Sequence, residues 1–153
     1  MKLPARATLI ALAAFVVYLV TLALIAFWPT HVDQGLTGPI DRALHWFHLL
    51  GLSWVTYGLI EASANVVLFV PFGVLLTVLL GARRWWLAVL IGIAASGVIE
   101  LGQALFLEGR TPSYRDVLAN SLGGLIGAAL AYVVLRMRSR GRAAVRAGAV
   151  EGA

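Results

Sequence analysis

Polar side chains interrupt two apolar runs of the sequence, on either side of the polar segment 108–116. The first run carries Ser96, Glu100 and Gln103, and the second begins with Asp116 and Asn120. A charged side chain at the centre of a membrane costs roughly 2.5–3.5 kcal/mol, so an acid in an apolar run faces protein or water. Carboxylates that lie close together can hold Mg²⁺ or divide the roles of acid and base between them. These runs therefore predict a polar site inside a hydrophobic protein.

Further polar residues stand at matching depths in another apolar run. Glu61 and Asn65 share a helix face because they are four residues apart, as do Asp116 and Asn120. At 1.5 Å per residue, Asn65, Glu100 and Asn120 each fall roughly 10 Å from one end of their helices. Nearby arginines can offset the acids, which would not all stay ionised side by side without cations. No catalytic residue is identified, but we predict a ligand-binding polar pocket formed by Glu61, Asn65, Ser96, Glu100, Gln103, Arg110, Arg115, Asp116 and Asn120.

Composition places the chain among integral membrane proteins. Its 153 residues are 61% hydrophobic and 12% charged, whereas soluble domains have about 25% charged residues. The length fits one domain. The absence of cysteine excludes disulfides and thiolate chemistry. The net charge of +5 does not indicate a nucleic-acid partner, because the basic residues flank apolar runs instead of forming a stripe.

Four apolar runs are long enough to span a bilayer core about 30 Å thick. They predict an all-α polytopic membrane domain over 1–135, with transmembrane helices at about 8–27, 58–80, 86–107 and 114–135. A cleavable signal peptide is the alternative for the first run. That run is long and lacks a small-x-small cleavage site, so we predict a retained helix. The basic tail 136–153 has no apolar periodicity and is predicted to be disordered.

The longest connection, residues 28–57, contains all three histidines, His31, His45 and His48. A Gly–Pro pair followed by Asp41 is typical of a helix start, which predicts a short interfacial helix in this first extracytoplasmic loop. Asp41, His45 and His48 follow helical spacing and would share one face as candidate metal ligands. No fourth zinc ligand is evident in the sequence, so we predict a wet interfacial surface and no metal.

The basic residues are distributed unequally between the two ends of the spans. Nine lie on the side that holds both termini and three lie on the other side. Because basic residues accumulate in cytoplasmic segments, both termini are predicted to be cytoplasmic. Tryptophan and tyrosine residues at both predicted interfaces agree with this arrangement. The polar pocket would then lie in the outer leaflet.

Small residues recur at helical spacing on the third and fourth spans. They are Gly92 and Ser96, followed by Gly123, Gly127 and Ala131. This spacing predicts that these two helices approach each other closely. For the polar residues, the structural alternative is a set of hydrogen bonds that fix the bundle, each worth about 0.6 kcal/mol. Because that gain is small for burying three acids at one depth, a binding cavity is the preferred interpretation.

The polar motifs resemble those of the VanZ-like family of small bacterial membrane proteins. The resemblance rests on Glu61-x-x-x-Asn65 leading into Phe69-Val-Pro-Phe-Gly73, on Ser96-x-x-x-Glu100-x-x-Gln103, and on Arg110-x-x-x-x-x-Asp116-x-x-x-Asn120-x-x-Gly123. Together these motifs cover about residues 58–132. The resemblance implies a multi-span protein of the bacterial cytoplasmic membrane. The founding member of the family is associated with resistance to the glycopeptide antibiotic teicoplanin, and the resemblance implies no defined biochemical activity.

Two functions fit these residues. The preferred one is binding or modulation of a cell-envelope lipid that carries a phosphate or glycan, such as a lipid-linked cell-wall precursor, with the effect on glycopeptide susceptibility that the resemblance implies. Arginine suits phosphate because its guanidinium donates two parallel hydrogen bonds. The alternative is an intramembrane enzyme that acts on a lipid phosphate with carboxylates and a divalent cation. No serine nucleophile lies beside a histidine, which disfavours the enzyme, and no inverted repeat supports a transporter. The expected partners are membrane lipids, and no cofactor is predicted outside the enzyme alternative.

Overall fold

A computed structural model describes residues 4–28, 37–107 and 113–151, with the side chains of Thr37 and 143–151 excepted. Within these residues all regular structure is helical, in five α-helices and one short 3-10 turn, Ala82–Arg84. The helices are α1 (Ala5–Ala26), α2 (Thr37–Leu49), α3 (Tyr57–Leu80), α4 (Trp85–Phe106) and α5 (Tyr114–Glu151). The predicted all-α class is confirmed.

Four of these helices are long and apolar enough to cross a membrane, as the sequence predicted. The shortest are α1 and α4, whose 22 residues each extend about 33 Å. That length exceeds the roughly 30 Å of hydrocarbon in a bilayer. Besides α1, the candidate spans are Tyr57–Leu80, Ala82–Phe106 and Tyr114–Arg142. The chain is therefore a multi-pass membrane protein.

The backbones of α3 and α5 are in direct contact. Gly123 and Gly127 of α5 lie so close to the carbonyl oxygens of Val66 and Val70 that a Cβ atom would overlap those oxygens. Gly73 of α3 is equally close to the backbone of α5. Because the contact pairs advance together along both chains, the two helices run parallel. Small residues at this spacing allow membrane helices to pack at short distance, where dispersion forces are strongest.

This contact corrects one sequence prediction. The small residues predicted a close approach of the third and fourth spans. α4 and α5 do meet, at Ser96 and Asn120, but the backbone contacts of the α5 glycines are with α3. On α4, Gly92 faces the ring of Phe72, which lies 3.5 Å from the place a Cβ would occupy. Small residues form a groove on a helix without identifying the helix that fills it. Here Gly73 gives α3 the matching groove.

Aromatic side chains of α3 and α1 fill the centre of the bundle. Phe69 and Phe72 are almost wholly buried, and their ring centroids lie 5.7 Å apart. Phe15 of α1 packs against Phe72 in an edge arrangement at 5.5 Å. Ala88 of α4 and Ala128 of α5 are completely buried beside these rings. Bulky residues on α3 thus pack against small ones on α4 and α5, which keeps the helices close.

The proline of α3 lies next to a hydrogen bond from another helix. Pro71 has no amide hydrogen, so the carbonyl of Val67 loses its partner within the helix. The hydroxyl of Tyr18 donates a hydrogen bond of 2.7 Å to the neighbouring carbonyl of Leu68. Membrane helices tolerate proline when neighbouring helices supply such donors. α1 thus supports the backbone of α3 where proline weakens it.

The last helix differs from the sequence prediction. The prediction ended the fourth span at Leu135 and left a disordered tail from Arg136, whereas α5 continues as a helix to Glu151. The physical reason is propensity, because alanine and arginine are among the best helix formers and no proline interrupts 136–151. Absence of an apolar stripe predicted that the segment does not dock, which is a different property from being unfolded. The division of the chain into a membrane domain and a separate tail stays a prediction.

The predicted short helix in the first connection is present as α2, and its location at a membrane interface stays a prediction. Its residues Ile40 and Leu44 are half-buried, while Asp41 and His45 are exposed. The Nε2 atom of His48 lies 3.1 Å from the carbonyl oxygen of Val55. Among the residues that the structure describes, no three histidine or acidic side chains converge as a metal site would need. His31 lies outside the described residues.

Candidate functional site

Polar side chains from α3, α4 and α5 meet near one end of the bundle. This end holds the start of α3, the end of α4 and the start of α5. All of these side chains lie within about 15 Å of those helix ends, at 1.5 Å per residue. We call them the polar cluster, and its members are Asn65, Ser96, Glu100, Asp116 and Asn120.

The innermost pair of the polar cluster joins α4 to α5. The Nδ2 atom of Asn120 donates a hydrogen bond of 2.9 Å to the Oγ atom of Ser96. Ser96 is completely buried and Asn120 is 5% exposed. The other amide atom of Asn120, Oδ1, has no hydrogen-bond partner in the described part of the chain. An unpaired buried acceptor of this kind costs about 1–3 kcal/mol.

Glu100 lies one turn further along α4 and contacts the beginning of α5. Its Oε2 atom accepts a hydrogen bond of 2.8 Å from the backbone N–H of Ser113, and the residue is only 8% exposed. The Oγ atom of Ser113 accepts a bond of 3.3 Å from the backbone N–H of Asp116, which caps α5. Because the first amides of a helix carry partial positive charge, a carboxylate at this position is favourable. Glu100 thus holds α4 against the start of α5.

Asp116 connects α5 to the third helix of the cluster. Its Oδ1 atom accepts a hydrogen bond of 3.0 Å from the Nδ2 atom of Asn65 on α3. The acid also lies in the first turn of α5, where the helix dipole favours a negative charge. Through Ser113, the contacts of Asp116 continue to Glu100 on α4. The polar cluster therefore ties three helices together at one depth.

The remaining predicted site residues lie outside these bonds. Gln103 donates a hydrogen bond of 2.8 Å to the carbonyl of Ala26, at the end of α1. Glu61 is exposed one turn before Asn65. Arg115 is exposed, and within the described residues no carboxylate lies within ion-pair distance of it; its offsetting of the acids stays a prediction. Arg110 falls outside the residues that the structure describes.

Ser113 is the residue of this site that the sequence prediction missed. It supplies both the backbone N–H that Glu100 accepts and the hydroxyl that caps α5. The signal was present, because Ser113-x-x-Asp116 before an apolar run has the pattern of a capping box. The pattern marks the helix start, but it does not show that an acid from another helix, Glu100, also bonds to this start.

The polar cluster is equipped for binding by hydrogen bonds. Its hydroxyl, amide and carboxylate groups include both donors and acceptors in a mainly apolar bundle, where each bond is stronger than in water. The two carboxylates accept from amide donors, the backbone N–H of Ser113 and the Nδ2 atom of Asn65. Asn120 Oδ1 is the acceptor that a further donor would complete. Hydroxyl and amine groups are the donors that suit it.

Comparison with known proteins finds a family whose model covers most of the chain. A family model described as VanZ/LLP1 matches residues 15–136, which is more than half of the chain. The matched region runs from α1 into α5 and includes every residue of the polar cluster. No curated protein and no solved structure matches the chain significantly.

Proposed function

Because the chain belongs to the VanZ/LLP1 family, we propose that its polar cluster binds the headgroup of a cell-envelope lipid that carries a phosphate or glycan. Through that lipid, the protein would modulate the susceptibility of the cell to glycopeptide antibiotics. One observation carries the proposal. The Oδ1 atom of Asn120 is a buried acceptor without a partner in the described part of the chain, and the amide of Asn120 is bonded to Ser96, which lies one turn before Glu100 on α4. A ligand hydroxyl would satisfy it and recover the cost of burying it.

The chemistry of the cluster fits a headgroup rich in hydroxyls. Sugar and glycerol hydroxyls donate as well as accept, so one ligand can pair with both an amide and a carboxylate. Arg115, exposed in the first turn of α5, lies at the same end of the bundle. A guanidinium there would meet the phosphate of the same ligand with two parallel hydrogen bonds. The polar cluster would thus bind the sugar side of the ligand and Arg115 its phosphate side.

The proposal requires that this site lie in the outer leaflet of the bacterial cytoplasmic membrane. The nine basic residues on the side of the termini support cytoplasmic N and C termini. A reporter that is active only in the cytoplasm should then give a signal when fused after Arg84 or Arg138. It should give none when fused after Thr37 or Thr111. A signal at Thr111 would reverse the orientation and remove the outer-leaflet site.

The binding proposal is tested by the lipids that copurify with the full chain. Mass analysis should find an envelope lipid with a phosphate or glycan headgroup enriched over the bulk membrane. Asn120→Leu removes the amide at similar size, and it should reduce the enriched lipid about tenfold, as the loss of a hydrogen bond of about 1.4 kcal/mol implies.

Thr77→Val is the matched control for Asn120→Leu. Thr77 is also completely buried, its Oγ1 atom has no partner in the described residues, and it lies outside the polar cluster on α3. This variant should retain the lipid at the wild-type level. If Asn120→Leu folds and also retains it, or if no lipid is enriched in the wild type, the proposal is wrong.

A further inference from the structure

A concavity lies at the end of the bundle opposite the polar cluster, where the 3-10 turn between α3 and α4 meets α5. Its volume is about 310 Å³, and its lining includes Gly81, Ala82, Arg83, Leu135, Arg136 and Ser139. We call it the arginine cavity. Pockets that bind small ligands begin at about 300 Å³. The arginine cavity therefore has room for a small polar ligand.

The two arginines of the cavity face it from different elements. Arg83 belongs to the 3-10 turn and Arg136 to α5. The turn is tight because Gly81 adopts a φ of 82°, which favours glycine, and its N–H caps α3 by donating 2.8 Å to the carbonyl of Thr77. This backbone geometry fixes the position of Arg83 relative to the end of α3. A ligand in the cavity would meet a positive charge on two sides.

No acid offsets these charges within the described residues. Neither Arg83 nor Arg136 has a carboxylate within ion-pair distance there. The acids whose side chains are described belong to α2 or to the opposite end of the bundle, namely Asp41, Glu61, Glu100 and Asp116. Two arginines without acidic partners at a concave surface favour an anionic ligand.

Arg136 is held by neighbouring aromatic rings. Its guanidinium carbon lies 5.4 Å from the centroid of the Tyr132 ring, and that ring lies 5.7 Å from the ring of Trp85. A ring attracts the cation through its quadrupole and leaves the N–H groups at the guanidinium edge available for a ligand. The contact with the Tyr132 ring therefore limits the conformations of Arg136 before binding. Such preorganisation lowers the entropy cost of recognising an oxyanion.

The surroundings of the cavity favour a lipid over a soluble anion. Val78 and Leu135 contribute apolar surface to its lining. α3 ends at Leu80 and α4 begins at Trp85 on either side of the turn that lines the cavity, and Trp86 is 51% exposed, as tryptophan often is at membrane interfaces. The phosphate of a membrane phospholipid lies at that same depth. An oxyanion with an apolar chain attached would use the whole lining.

We propose that the arginine cavity binds the phosphate group of an anionic glycerophospholipid. Arg83 and Arg136 donate hydrogen bonds to the phosphate oxygens from two sides, and Val78 and Leu135 contact the adjoining acyl chain. This site is separate from the polar cluster, and its ligand comes from the leaflet at the opposite end of the bundle. Asn120→Leu therefore leaves binding at the arginine cavity unchanged.

The test measures phospholipid binding to the purified full chain by native mass spectrometry, with phosphatidylglycerol as the probe and phosphatidylcholine as the neutral comparison. The double variant Arg83→Gln with Arg136→Gln should weaken phosphatidylglycerol binding about 30-fold, since losing each arginine's hydrogen bonds to the phosphate reduces binding roughly fivefold. The matched control is Arg84→Gln with Arg138→Gln, which removes the same charge from positions outside the lining. The control should lose less than about fivefold. Equal losses in the two double variants would show unspecific attraction by net charge and overturn the proposal.

A second variant and a competitor complete the test. Arg83→Lys with Arg136→Lys keeps both charges but cannot donate in a bidentate manner, so its binding should lie between wild type and the glutamine variant. This result remains informative if the glutamine variant does not fold. Inorganic phosphate and a soluble glycerophosphate should not displace phosphatidylglycerol, because they lack the acyl chain. Displacement by inorganic phosphate would assign the cavity to a soluble anion, and no preference over phosphatidylcholine would rule out an anionic ligand.

Discussion

The two ends of the bundle differ in whether their polar side chains are bonded to one another or exposed. In the polar cluster, side chains from three helices are bonded to one another, with Asn65 to Asp116 at 3.0 Å and Asn120 to Ser96 at 2.9 Å. At the arginine cavity, Arg83 and Arg136 are exposed and have no acidic partner among the described side chains. One end therefore bonds most of its polar atoms internally, with the Oδ1 atom of Asn120 as the exception in the described residues, and the other end presents its polar groups outward.

The difference follows from where each group lies relative to water. A side chain inside the bundle cannot reach solvent, so an unpaired polar atom costs free energy and the helices meet where partners exist. Arginine at the end of a span reaches the headgroup region and needs no protein partner. It follows that substitutions in the polar cluster affect both stability and binding, whereas those at the arginine cavity affect binding alone.

The largest expected effect comes from the glycine contact between α3 and α5, because these two helices contribute residues to both ends of the bundle. In Gly127→Ala the new Cβ would overlap the carbonyl oxygen of Val70, so α5 must move away from α3. We expect the free energy of unfolding to fall by about 1–3 kcal/mol, as for other overpacked sites, with loss of lipid at both ends. Thermal unfolding in detergent measures the change in stability.

Gly97→Ala is the matched control for this glycine. It lies on α4, where no atom comes within 4 Å of the place that an added methyl group would occupy, so alanine should be neutral or stabilise the helix by up to about 1 kcal/mol. If both alanine variants unfold at the same temperature as wild type, the close packing of α3 and α5 does not contribute to stability. Neither end of the bundle would then depend on that packing.

The next effect concerns the charge of Glu100. Glu100→Gln keeps an oxygen that can accept the N–H of Ser113 but removes the negative charge. Expression should equal or exceed that of wild type, because the charge is the costly part of inserting this helix. Retained lipid should fall about tenfold, since bonds to ionised acceptors exceed neutral ones by about 1.4 kcal/mol.

The same variant separates a binding site from a purely structural one. If the polar cluster only fixes the bundle, glutamine still bridges α4 and α5, and lipid retention and glycopeptide susceptibility stay at the wild-type level. A stable Glu100→Gln protein with full lipid retention would therefore contradict the proposed role of the charge. The arginine cavity should bind phosphatidylglycerol equally well in either case.

Much of the architecture was predictable because the membrane constrains it. Apolar runs of sufficient length predict spans, and i, i+4 spacing predicts that Asp116 and Asn120 share a face. Contacts between helices were less predictable. Gln103 shares a face with Glu100, yet its amide reaches the carbonyl of Ala26 at the end of α1, where helix carbonyls lack internal partners. The first apolar run predicts where α1 ends along the chain but not that this end lies beside α4.

Two further features needed the structure because they depend on competing local effects. The segment after Leu135 lacks an apolar stripe, which predicted disorder, but its residues also have high helix propensity, and the structure has a helix. The glycines of α5 predicted close packing correctly, but the partner helix depends on Gly73 and on the bulk of Phe72 facing Gly92. Pairing of helices is a property of several segments at once.

The smallest expected effect concerns Tyr18, which lies between the two ends. Its hydroxyl donates to the carbonyl of Leu68 beside Pro71, and no sequence motif indicated that role. Tyr18→Phe keeps the ring stacked near Phe15, at a centroid distance of 6.5 Å in the wild type, and removes only the hydroxyl. The free energy of unfolding should fall by about 0.5–1.5 kcal/mol, the usual net value of one hydrogen bond.

This loss should leave ligand binding at both ends unchanged, because Tyr18 lines neither the polar cluster nor the arginine cavity. Thr21→Val is the control, since the Thr21 hydroxyl is exposed and, within the described residues, bonds only the carbonyl of Val17 in its own helix. It should unfold within about 0.5 kcal/mol of wild type. Lipid retention that falls in Tyr18→Phe but not in Thr21→Val would mean that α1 couples to a binding site through the proline of α3. The two ends would then be linked through the centre of the bundle, and the independence drawn from their comparison would fail.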